Sequence, residues 1–164
     1  MAEGTGLENR HTGNGIEGSN PSLSVIPGMS SPISVRATVL WSDMDAYGHV
    51  NNAVFFRWFE LARMAYLDRC GLLDSYERSK VGVILHSTSC RFRAPVFHPD
   101  TIEVETRVTE IGEDRFTMEY VARSTAHATV VAEGSALVVC YDYTARKKVP
   151  LPQGIRERIS QLRG

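Results

Sequence analysis

One ten-residue run, DMDAYGHVNN from Asp43 to Asn52, gathers two carboxylates, an imidazole and two carboxamides around a glycine. An amphipathic helical pattern begins where the run ends. A carboxylate in a loop just ahead of a helix lies near backbone N–H groups that have no intrahelical partner. The positive end of the helix dipole favours negative charge there. The same amides can polarise a carbonyl and hold the oxyanion that develops when it is attacked. A carboxylate beside such amides is a sufficient kit for acyl hydrolysis, acting as general base toward water or as the nucleophile itself. No serine or cysteine nucleophile stands in a recognised setting. There is no G-x-S-x-G run, and Cys70 and Cys90 have apolar or undistinguished surroundings.

The same residues have commoner uses. Asp and Asn ahead of a helix usually cap it or build a turn, and Asn51 or Asn52 alone would suffice. Capping leaves Asp43 and Asp45 unexplained. His49 is more often a turn or hydrogen-bonding residue than a base. Glu60 falls well away from the apolar helix face and pairs with Arg57 or Arg63 at i±3. His86 reads as a satisfied polar residue on a strand. Arg91 and Arg93 read as a solvated face that an anionic ligand could also meet. The letters DMDAYG begin like a calcium loop, but Tyr47 stands at the fifth position and Val54 at the twelfth, where oxygen ligands are needed. His49, His86, His98 and the cysteines lack zinc-ligand spacing. No metal and no cofactor are expected.

Clear periodicities frame this run. Residues 34–41, SVRATVLW, are rich in β-branched side chains and predict a strand. Phe55, Trp58, Phe59, Ala62, Ala65 and Tyr66 recur on one helical face, and Gly71 suits the left-handed residue that ends a helix. Phe56, Met64 and Leu67 put apolar groups on the far side too, so this helix is expected to be covered on more than one side. Phe55, Phe56 and Trp58 are more readily core than pocket. A short helical turn is expected in LLDSYERSK, then a β-rich run over 81–92. Ile102, Val104 and Val108 alternate with charged residues. So do Phe116, Met118, Tyr120 and Ala122 with polar ones, as in half-exposed antiparallel strands. TVVAEGSALVVCYDY is the last long strand, with Gly134 and Ala136 offering close approach to a helix or another chain. QGIRERISQLRG closes the chain as a short helix. Strand, long helix and four antiparallel strands make an α+β layer solution. One helix covers one sheet face, which leaves a face or an edge for another subunit.

The chain has 164 residues and a net charge of −1, a one-domain length with no electrostatic pull toward nucleic acid. No apolar run reaches the ~18 residues of a membrane span. Three cysteines without C-x-x-C spacing fit neither a disulfide framework nor a zinc site, and a reduced, cytoplasmic protein is expected. Residues 1–33 are rich in Gly, Ser, Asn and Pro and lack a signal-peptide core. They read as a disordered tail ahead of a 34–164 domain, with Met29 a candidate natural start.

The run D-x-D-x-x-G-H-V-N-N and the helix from Asn52 to Arg63, with its E-x-A-R, resemble the hotdog-fold acyl-CoA thioesterases, specifically the 4-hydroxybenzoyl-CoA thioesterase-like group. The resemblance spans residues ~34–148, where the element order also fits. It implies a single hotdog domain, a five-stranded antiparallel sheet wrapped around one long central helix. It implies Asp45 as the catalytic carboxylate and the Asn52 backbone N–H as the group that polarises the thioester carbonyl. Gly48 would allow the tight turn between them, His49 and Asn51 would shape the site, and Asp43 would be structural or supporting. It also implies a homo-oligomer, dimer or tetramer, with the active site at the subunit interface, and an acyl-CoA or acyl carrier thioester as substrate. Some relatives grip CoA phosphates with a basic run at the third hairpin. Here that turn is Gly112-Glu113-Asp114-Arg115, which leaves Arg115, or else Arg91, Arg93 or Lys147, to hold CoA, unless an acyl carrier protein takes its place. An enoyl-thioester hydratase or dehydratase on the same fold, and a non-catalytic acyl-binding or scaffold protein, are the alternatives.

Overall fold

The computed structural model describes residues 32–163, so most of the 1–33 tail and the candidate start at Met29 lie outside the described residues. The elements run β1 (Ile33–Thr38), α1 (Asn52–Arg69), α2 (Leu72–Ser79), β2 (Val81–Phe92), β3 (Thr101–Ile111), β4 (Arg115–Ser124), β5 (Thr129–Asp142), β6 (Lys147–Lys148) and α3 (Gln153–Leu162). The strands form one antiparallel sheet in the order β1-β3-β4-β5-β2, with the two-residue β6 on β5. This is the hotdog arrangement, α+β, with five long strands around one long helix. The first strand ends earlier than its β-branched run suggested. Trp41–Asp43 is instead a single 3₁₀ turn, because the Asp43 N–H donates to Leu40 O and the Met44 N–H to Trp41 O.

Burial follows the periodicities. Phe55, Trp58, Phe59, Ala62 and Tyr66 of α1 are buried, as are Ile102, Val104 and Val108 of β3 and the alternating set from Phe116 to Ala122 of β4. Phe59 lies flat on Tyr120 of β4, ring centroids 4.8 Å apart. Beside it runs Gly134 of β5, where an added Cβ would collide with the Phe59 ring and sit 2.8 Å from Ser89 O. The small residue therefore admits the helix to the sheet, one of the two uses expected of it. Leu67 on the far side of α1 is buried as well, and Phe56 packs against the core. Gly71 takes φ +80° and ends α1 as expected.

Two strands flank the sheet, β1 paired with β3 alone and β2 paired with β5 alone. The middle of β2 is open to solvent, Leu85 included, and a break in register between Leu85 and Ser87 leaves His86 unpaired at a bulge. Such an edge presents a row of backbone groups able to pair with another chain.

Candidate active site

The segment between β1 and α1 is folded by its own short polar side chains. Asp43 is 4 % exposed. Its Oδ2 accepts the Leu40 N–H at 2.9 Å, its Oδ1 accepts a guanidinium N–H from Arg57 at 2.5 Å, and its backbone carbonyl accepts the Asn51 N–H at 2.9 Å. Arg57 thus pairs with Asp43 rather than with Glu60, which meets Arg63 at 3.9 Å. Asp45 opens a tight loop. Its Oδ1 accepts the Tyr47 N–H at 2.8 Å, and its own N–H donates to His49 O at 2.8 Å. The Gly48 N–H returns to Asp45 O at 3.1 Å with φ at +80°, a conformation glycine adopts without steric cost. Nothing crowds the position where a Gly48 side chain would stand, so backbone shape alone selects glycine.

The other candidates fall around this loop. The His49 Nδ1 lies 3.3 Å from Asp45 Oδ2, and its ring stacks on Tyr47. Asn51 is the N-cap of α1, its Oδ1 accepting the Ala53 N–H at 2.9 Å. Asn52 is the first helical residue, and its N–H finds no acceptor among the described residues. Asp45, His49 and Asn52 line one cavity of about 550 Å³, and Gly48 and Asn51 are not among its lining residues. Asp45 keeps 21 % of its side chain exposed, enough for water to reach it.

Of the opposite wall, sequence reasoning named only Arg93, as a candidate anion contact, and missed Phe92, Pro95 and Val96. Phe92 and Arg93 at the end of β2, then Pro95 and Val96, close the cavity, and the Val50 N–H donates to Val96 O at 2.8 Å to bind that segment to the loop. No local pattern in RAPVF announces this, because the contact is made between segments more than forty positions apart in the chain. Phe55 serves twice, buried in the core and lining the cavity, and its ring meets Phe92 edge-on at 5.1 Å. Arg93 is held by the Glu133 carboxylate, and Arg115 by Asp114 at 2.6 Å, so neither guanidinium is unengaged. Among the described residues no three His, Cys, Asp or Glu side chains group as metal ligands.

The thiols stand apart from this geometry. Burial pushes Cys70, Cys90 and Cys140 each up to about 11, so all three are protonated thiols near neutral pH. Cys90→Ser is expected to leave thioester hydrolysis within about twofold of wild type, since the thiolate is the reactive form. A steady-state thiol-release assay checks it, and loss of turnover would place the sulfur in the reaction.

A family model described as the thioesterase-like superfamily matches residues 39–159, which takes in the loop, α1 and every strand but β1. The chain belongs to this superfamily. A putative esterase of Aquifex aeolicus is 32 % identical over 91 residues, 55 % of this chain and 71 % of its own. The long-chain acyl-CoA thioesterase FadM of Escherichia coli K12 is 23 % identical over 82 % of this chain and 98 % of its own. A thioesterase from Thermus thermophilus, solved with coenzyme A and zinc, superposes with a TM-score of 0.72 at 30 % identity, covering 82 % of this chain and 96 % of that one. The superfamily membership and these relatives make the hotdog chain a thioester hydrolase, and the loop before α1 is the segment to search for its chemistry.

Proposed function

We propose that the protein hydrolyses an acyl-CoA or acyl carrier thioester, with Asp45 as base or nucleophile and the Asn52 N–H as the oxyanion donor. The observation that carries this reading is their shared cavity: Asp45, with its partly exposed carboxylate, and Asn52, whose N–H has no acceptor among the described residues, both line one hollow with apolar walls at Phe55, Phe92 and Val96. As base, Asp45 takes a proton from water, the oxygen attacks the carbonyl carbon, and charge moves to the oxygen held at Asn52. Collapse expels the thiolate. As nucleophile, Asp45 forms an anhydride that water then opens. A thioester needs less activation than an amide, so a carboxylate and a helix terminus suffice. An unlabelled product acid after single turnover in ¹⁸O-water identifies the anhydride route. Direct water attack labels the product acid, whereas an anhydride opened at the Asp45 carbonyl delivers an unlabelled oxygen from the enzyme.

The identity of the thioester is tested by thiol release over aromatic, short-chain and long-chain acyl-CoAs. Tight binding with no thiol release across that panel would favour an acyl-binding protein. The Asp45–His49 approach is the one observation that favours a hydratase reading, and loss of enoyl-CoA absorbance would reveal it. The open edge of β2 is where a second copy would extend the sheet, placing Phe92 and Arg93 of each cavity at the end of the joined strand. Light scattering at assay concentration is expected to give a dimer or a tetramer, and a monomer would remove that arrangement. The described residues include no helix long and apolar enough to cross a membrane, and their three free cysteines fit a reduced cytoplasmic setting.

A further inference from the structure

Asp43 and Arg57 line no part of the cavity, yet they form a heavily bonded point beside it. Asp43 bonds to three places at once: the end of the first strand segment through Leu40, the helix through Arg57, and the cap residue through the Asn51 N–H. Asp45 follows Asp43 by two residues, and Asn52 follows Asn51 directly. The carboxylate that would attack and the amide that would receive the oxyanion are therefore both suspended from Asp43. We propose that the Asp43–Arg57 pair is a positioning device, which fixes the spacing between the Asp45 carboxylate and the Asn52 N–H without touching substrate. It rests on the roles assigned above to Asp45 and Asn52.

The physical argument lies in the asymmetry of the pair. The Asp43 side chain is 4 % exposed and the Arg57 side chain 65 %. A buried carboxylate that loses its cation is left uncompensated, and it relieves this by drawing in water or by turning toward solvent. Either change disturbs the Leu40 N–H bond and strains the carbonyl bond to Asn51. Misplacing reacting groups by about 1 Å can cost on the order of 10²-fold in rate. The exposed Arg57 leaves a vacancy that solvent can reach when it is truncated, so a free guanidinium ion can enter it.

The test uses the full chain with the best thioester from the acyl-CoA panel. Arg57→Ala is expected to lower kcat by about 10–100-fold with KM within about threefold. Millimolar guanidinium should return about tenfold of the lost kcat, sodium chloride at equal ionic strength should not, and the thermal midpoint should not fall with the added ion. Arg57→Lys should recover part of the loss, because it restores charge but not the planar fork. If Arg57→Ala does not fold, Arg57→Gln carries the test, with kcat down by about fivefold or more. Wild-type kcat in the folded variant, or a loss that guanidinium does not relieve, overturns the positioning role. Asp45→Asn is run alongside. If it is inactive while Arg57→Ala is fully active, only the positioning role falls. If it is active, the Asp45 reading fails and takes this proposal with it.

Discussion

Asp45→Asn is expected to lower kcat for thioester hydrolysis by about 10²–10⁴-fold while the protein stays folded. That range corresponds to about 3–5 kcal/mol of lost transition-state stabilisation. The substitution is nearly isosteric. The carboxamide oxygen it introduces can still accept the Tyr47 N–H that Asp45 Oδ1 now accepts at 2.8 Å, so the loop keeps its main local bond. The backbone bonds from the Asp45 N–H to His49 O and from the Gly48 N–H to Asp45 O do not involve the side chain. What disappears is a group able to take a proton or to form an anhydride. Circular dichroism and the denaturant midpoint should match wild type while thiol release collapses at saturating substrate. Hydrolysis within a few-fold of wild type would remove Asp45 from the chemistry.

Phe59→Ala carries the largest expected stability loss, about 3–5 kcal/mol, read from the denaturant midpoint. The ring is fully buried, stacks on Tyr120, and fills the space above Gly134, so its removal leaves a hole between α1 and the sheet. Gly134→Ala in the wild-type background is expected to cost about 1–3 kcal/mol, because the new methyl runs into that ring. The two changes should not add. With the ring gone, the methyl still sits 2.8 Å from Ser89 O, so part of its cost remains, and the double variant should be more stable than the sum predicts by about 0.5 kcal/mol or more. Strict additivity would mean that Phe59 and Gly134 do not share the contact.

Much of the site's local construction was legible because it is built from near neighbours in the chain. The N-cap was narrowed to Asn51 or Asn52, and the tight turn at Gly48 followed from the family resemblance. The Asx turn that Asp45 makes with the Tyr47 N–H was not read from the sequence. All three need only residues within a few positions. The strand end at Thr38 was not legible, because β-branched content extends past it while the 3₁₀ turn is imposed by hydrogen bonds to Leu40 and Trp41. Arg57 was ambiguous for a different reason. On the helix surface Glu60 is in reach of it, and nothing in the spacing says that Asp43 lies closer in space.

The sequence by itself determined the order of strands and helices, the faces they bury and the loop that carries Asp45, Gly48, His49, Asn51 and Asn52, because periodicity, turns and caps are short-range physics. Only the tertiary structure decided that Phe92, Arg93 and Val96 form the cavity's far wall, that Gly134 yields to Phe59, and that the buried Asp43 claims Arg57. Those outcomes depend on which surfaces meet once the sheet curls around α1. Many residues separate the partners, and a charge or an apolar ring carries no record in its local sequence of what it will face.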